Sequence, residues 1–230
     1  ALKENVIKVL TNQFVVNKKL ASSFSNSVFL EADGDDYSAS IQFKNALKNR
    51  IFSELISDLI DYGIRRNEKL YSQRYKDTNF ELYMKYTYED VCKLLNWDKN
   101  MVAQNIGGYF YDKKTNTLPV FINYDKEEHI KDSIKYNDRF ESPSTLIALS
   151  KQPRTITSND ARVIYDSDVK KYLFVRKNKD DKMSKEFYFL GEIKAIGKPH
   201  PVTIDNKNAF EIIYKLEDSV REDIYDFIIS

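Results

Sequence analysis

The chain has 230 residues, 42% hydrophobic and 31% charged, with a net charge of +1. No run of about 18 uncharged apolar residues occurs, so a helical membrane span is excluded. A secretion signal is absent too, which points to a cytoplasmic chain, and the single cysteine, Cys92, excludes a disulfide scaffold or a multi-cysteine metal site.

The first residue is Ala1, and the chain reads as an excerpt from something longer, or as processed. Leu2, Val6, Val9 and Leu10 share one stripe and predict a short helix. A serine-rich joint, Ser22 to Ser27, leads to a brief apolar run that ends in the acidic turn Asp33–Asp36. Ile41, Leu47, Ile51, Leu55, Ile56, Leu59 and Ile60 recur at three, four and seven residues. That spacing predicts one long helix stopping near Gly63. The first third is expected to be helical throughout.

From Thr87 the pattern changes. Thr87-Tyr-Glu-Asp90 resembles a capping box and opens a short helix, Glu89 to Leu95. Tyr109–Tyr111 and Val120–Tyr124 are β-rich, and the polar run Asp112–Thr117 between them predicts a hairpin. Leu146–Leu149 is buried as strand or helix. Ser158 is placed to cap a short helix through Ile164. Tyr172–Arg176 and Phe187–Ile196 are the strongest predicted strands, and Phe210–Leu216 is a further one. Ser219-Val-Arg-Glu222 reads as a capping box for a closing helix with Ile224, Tyr225 and Ile228 inward. The expected fold is α+β: a helical coupler over residues 1–86, then a mostly antiparallel domain over residues 87–230.

Charge is unevenly placed. Residues 143–200 carry 12 Lys and Arg against 7 Asp and Glu, and residues 201–230 carry 3 against 7. A basic segment suits a polyanion. Ser150, Lys151, Arg154 and Thr155 combine cations and hydroxyls on one loop, as phosphate contacts require. Arg176, Lys177 and Lys179 leave the end of a predicted strand. With 16 Tyr and 14 Phe, rings are abundant, and Tyr111, Tyr124 and Tyr188 are the candidate stacking rings. Strand alternation sets Glu192 and Lys194 on one face as an E-x-K element, with Asp180 or Asp181 upstream, which leaves a Mg-dependent nuclease as an alternative. Phosphate-binding glycine motifs are absent, and neither Cys92, His129 nor His200 sits in a catalytic pattern.

Five ordered blocks carry a family resemblance: Tyr86–Lys126, Lys135–Thr155, Leu173–Asp181, Glu186–Ile193 and Ser219–Ile228. Together they resemble the C-terminal domain of unknown function found behind phospholipase-D-type nuclease and DEAD-box helicase modules, as in type IV, modification-dependent restriction enzymes. The resemblance implies a non-catalytic part of such an enzyme, with no cofactor and no metal of its own. Its partners would be double-stranded DNA containing 5-methyl- or 5-hydroxymethylcytosine and the helicase and nuclease upstream. It further implies a curved β-barrel of the SRA or PUA type that flips the modified base. A protein-interaction or dimerisation module built on the helix at 41–62 is the remaining alternative.

Overall fold

The computed structural model describes residues 2–14, 22, 28–34, 36–98, 100–101, 108–125, 138–178 and 185–230. The chain divides into two compact units, one formed by residues 1–81 and 89–102, the other by residues 82–88 and 103–230.

The first unit contains α1 (Leu2–Leu10), a two-stranded antiparallel hairpin of β1 (Leu30–Asp33) and β2 (Asp36–Ala39), α2 (Ile41–Ala46) and α3 (Arg50–Leu70). Two expectations change here. The acidic turn joins a pair of strands, so this third is not wholly helical. The single long helix is also two helices. Asn49 accepts a hydrogen bond from the Phe52 N–H at 3.1 Å and so caps a new helix. Once begun, α3 runs past Gly63 to Leu70. An isolated glycine weakens a helix by only about 1 kcal/mol and does not end it. Most of α4 (Tyr88–Leu94) also belongs to this unit, where Val91, Cys92 and Trp97 are buried.

The second unit is built on a seven-stranded sheet with the order β4-β7-β8-β9-β6-β5, plus β3 (Lys85–Tyr86) against β8. Its strands are β4 (Thr117–Asp125), β5 (Arg139–Ser142), β6 (Thr145–Leu149), β7 (Lys170–Asn178), β8 (Phe187–Ile204) and β9 (Lys207–Leu216). All neighbours are antiparallel except β4 and β7, which run parallel. A parallel pair needs a crossover, and the segment from β5 to α5 (Asn159–Tyr165) supplies it. Pro119 is tolerated in β4 because β4 lies at the end of the strand order. The predicted hairpin before β4 survives as single bridges, Tyr109 to Val120 and Asp112 to Thr117.

β8 is 18 residues long and pairs with β7 in its first part and β9 in its second. Its register breaks twice. Between Phe189 and Glu192 it carries one residue more than β7, and between Ile196 and His200 two more than β9. Each break holds a glycine at positive φ, Gly191 at 92° and Gly197 at 70°. Such bulges bend and twist a strand, and the sheet curls into a half-barrel. Asp205 and Asn206, both at positive φ, form the tight turn into β9.

Both faces of this sheet are covered. Leu118, Val120, Leu173, Val175, Leu190 and Ile193 join α5 and α6 (Glu222–Ile229) in an aliphatic core. The alternate residues Phe121, Phe174, Phe187 and Phe189 form an aromatic layer on the other face, with Phe121 stacked on Phe174 at 5.1 Å. The high ring content is therefore largely core. The capping box predicted at Ser219 does not form. Arg221 occupies the N-cap position, and Ile224 and Ile228 face inward as expected.

Candidate nucleic-acid interface

The loop between β6 and α5, residues 150–158, is held against β9 at two points. The Ser150 N–H donates to the Phe210 carbonyl at 2.9 Å, and the Arg154 N–H to the Asn208 carbonyl at 2.9 Å. The Ser150 hydroxyl accepts the Phe210 N–H at 3.0 Å and donates to the Lys151 carbonyl at 3.1 Å. At 6% exposure Ser150 fixes the loop and has no face left for a nucleic acid, which corrects its predicted role. Thr155 is exposed, and its carbonyl accepts from the Ser158 N–H and hydroxyl to close the turn into α5.

Four polar side chains meet where this loop enters α5. The Tyr109 hydroxyl donates to Asp160 Oδ2 at 2.8 Å and accepts the Lys151 N–H at 3.3 Å. Arg154 Nε donates to the same carboxylate oxygen at 2.8 Å. Lys151 Nζ lies 4.7 Å from the centre of the Tyr109 ring. Burial pushes the Tyr109 phenol well up, so it remains a hydrogen-bond donor at any physiological pH. Burial lowers the Lys151 ammonium, an effect that nearby Asp160 opposes.

These groups line a cleft of about 350 Å³, together with Tyr111 and Leu118. Through Arg154 and Asp160 it adjoins a hollow of about 400 Å³ lined by Thr155, Ser158 and Asn208. Through Thr155 and Asn208 that hollow adjoins a broader one of about 780 Å³, bordered by Arg139, His200 and Glu211. The three hollows lie in succession along the β6–α5 loop and share lining residues, and together they are termed the groove. Arg139 pairs with Glu211 at 3.2 Å. Three cations against two carboxylates leave the groove modestly positive.

Other predicted contacts lie elsewhere. Arg176 Nε donates to Asn123 Oδ1 at 2.6 Å, and its guanidinium covers the Phe187 ring at 4.4 Å. It closes the aromatic layer and is not a groove cation. Lys177 reaches α6, with Nζ 3.2 Å from Ser230 Oγ and 5.6 Å from the Phe227 ring centre. Tyr188 packs edge-on to Phe227 at 6.1 Å, under Lys85 Nζ at 4.6 Å. Tyr124 stacks on Phe140 at 5.8 Å and is half-buried against the core. Tyr111 reaches the cleft, although its hydroxyl donates to Asn116 Oδ1 at 2.8 Å. Lys179, Asp180, Asp181 and His129 lie outside the described residues. Glu192 and Lys194 share the predicted strand face, with Lys194 3.8 Å from Glu217. Among the described residues no three His, Cys, Asp or Glu side chains gather as metal ligands. No described helix is long and apolar enough to cross a membrane.

Residues 80–228 match the family described as Domain of unknown function (DUF3427). The chain belongs to this family. Residues 1–72 match a second family, Domain of unknown function (DUF8090). No curated protein matches the chain. Among solved structures, the crystal structure of KRYPTONITE in complex with mCHG DNA and SAH is similar over 79% of this chain, with a TM-score of 0.40 and 9% identity. The chain spans 41% of that protein's length.

Three groove residues of the DUF3427 segment escaped the sequence reading. Asp160 looks like an ordinary first-turn helix acid, and Arg139 and Glu211 are 72 residues apart in sequence. Tyr109, also not among the predicted contacts, carried a partial signal by alternation with Phe110 next to Tyr111.

Proposed function

We propose that this chain is the DNA target-recognition part of a type IV, modification-dependent restriction enzyme, and that the groove along the β6–α5 loop holds duplex DNA. In this reading a helicase and a phospholipase-D-type nuclease precede it in the same cytoplasmic protein. Residues 1–86 couple it to that motor, and the whole serves in phage defence. The five sequence blocks that resemble the C-terminal part of such enzymes support this assignment.

One observation carries the choice of surface. The cleft of about 350 Å³ has Tyr109 and Tyr111 in its wall, with Lys151, Arg154 and Asp160 converging on it. A single pyrimidine fits in that space. Tyr109 is buried and forms the wall, while the half-buried Tyr111 supplies a face for stacking; a carboxylate accepts from the cytosine amino group, and cations suit its carbonyl and the flanking phosphates. A base enters such a cleft by leaving the duplex. One buried methyl contributes about 0.8 kcal/mol. Discrimination between modified and plain cytosine therefore also needs the hydrogen bonds around the base.

Titration of the 230-residue chain with matched duplexes tests the proposal. Duplexes carrying 5-methyl- or 5-hydroxymethylcytosine are expected to bind more tightly than the plain duplex, and Lys151→Ala to weaken all three. Equal affinity for all three removes the reader role, and no binding to any removes the DNA role.

A further inference from the structure

α3 is a 21-residue helix in which no residue is buried. Ile51, Leu55, Leu59 and Tyr62 recur every three or four positions along it, exposed by 69, 61, 63 and 55%. A solvent-facing helix ordinarily places polar residues on such a stripe. A monomer seldom leaves a contiguous apolar patch of this kind uncovered.

The charges beside the stripe identify what covers it. On a helical projection Glu54, Asp58, Arg65 and Lys69 share one flank, acidic toward the N-terminus and basic toward the C-terminus. Two such helices laid antiparallel set the acidic half of each flank against the basic half of the other. With the two-fold axis near Ile60 and Asp61, Leu59 meets Tyr62 of the second copy and Asp58 meets its Arg65. Glu54 then comes near the Lys69 of that copy. Parallel pairing would set this flank against the opposite flank of the second helix and lose the match.

We propose that α3 is a self-association surface, and that its occupant is α3 of a second copy of this chain in antiparallel, two-fold arrangement. Such an interface is isologous, with every contact made twice. This assignment is independent of the DNA-binding groove; within residues 1–86 it gives α3 to self-association and leaves the coupling to the motor to the rest of that segment.

Sedimentation equilibrium of the 230-residue chain across a hundredfold concentration range tests it. A concentration-dependent mass rising toward twice 27.0 kDa is expected. Leu59→Glu is expected to give a monomer with unchanged far-UV circular dichroism. Asp58→Arg and Arg65→Asp are each expected to weaken association about tenfold, and their combination to restore it. Three results would each overturn the proposal. These are a monomer at every concentration, as expected if an upstream domain covers α3 instead; a dimer unaffected by Leu59→Glu; or a double charge swap no better than the single ones.

Discussion

Lys151 and Ser150 are neighbours with opposite duties, and the difference is burial. The Ser150 hydroxyl, enclosed between β6 and β9, satisfies the Phe210 N–H and the Lys151 carbonyl. Ser150→Ala is therefore expected to cost about 1–2 kcal/mol of stability in urea unfolding, with DNA affinity retained. Lys151 shows the converse. Lys151→Ala is expected to lower DNA affinity and to reduce the salt slope of log K by about 0.9. Its pH dependence has a definite sign. Burial depresses its pKa in the folded chain, so its charge, and the phosphate attraction with it, is lost as pH rises through a point below the ordinary lysine range. DNA affinity should therefore fall on the alkaline side sooner than a surface lysine would require, and Lys151→Arg should flatten that decline. The stability linkage runs the other way: between the folded and unfolded pKa values, raising the pH favours the folded chain through this residue. Arg176, at the end of the YLFVR run, looks from sequence like a DNA-contacting cation. Its partner Asn123 lies on β4, and no local pattern discloses that pairing.

At the scale of elements, the sequence marks those whose signal is local. YLFVR and FYFLGEIKAI are dense in β-formers, and they became β7 and β8. The 3.6-residue periodicity of the last ten residues became α6. Whatever depends on distant partners was hidden. The parallel pairing of β4 with β7 joins residues about 50 apart, so the aromatic layer could not be told from an exposed platform. Tyr111, Tyr124 and Tyr188 were indistinguishable by alternation, and only Tyr111 borders the cleft. The break between α2 and α3 was legible in principle from Asn49, but the apolar repeat spans it and masked it. β8 provides a prediction at this scale. Gly191 sits at φ 92° in the first bulge, a conformation that side chains with a Cβ resist. Gly191→Ala should destabilise the domain by about 1–2 kcal/mol in chemical unfolding, through strain at the bend and not through loss of contacts.

Across the molecule, several described cations of the basic segment 143–200 are engaged away from the groove. Lys171 is buried, its ammonium held by the Asp166 and Val169 carbonyls. Arg176 covers Phe187, Lys177 lies against α6, and Lys194 pairs with Glu217. Lys151 and Arg154 remain at the cleft, joined along the groove by Arg139 from outside the segment. Net charge along the sequence thus identified a basic region, while the fold selects which cations can act together. A groove with so few cations predicts only a modest salt slope, and leaves recognition to the cleft itself. The claim at the centre of this account is that the cleft between Tyr109, Lys151 and Asp160 receives one modified cytosine. Equilibrium binding of the chain to otherwise identical duplexes, one carrying a single 5-methylcytosine with 2-aminopurine beside it, tests this most directly. Tighter binding to the methylated duplex is expected, with a rise in 2-aminopurine fluorescence as the neighbouring base leaves the stack, both diminished by Asp160→Ala. Equal affinity for the two duplexes without a change in fluorescence would contradict it.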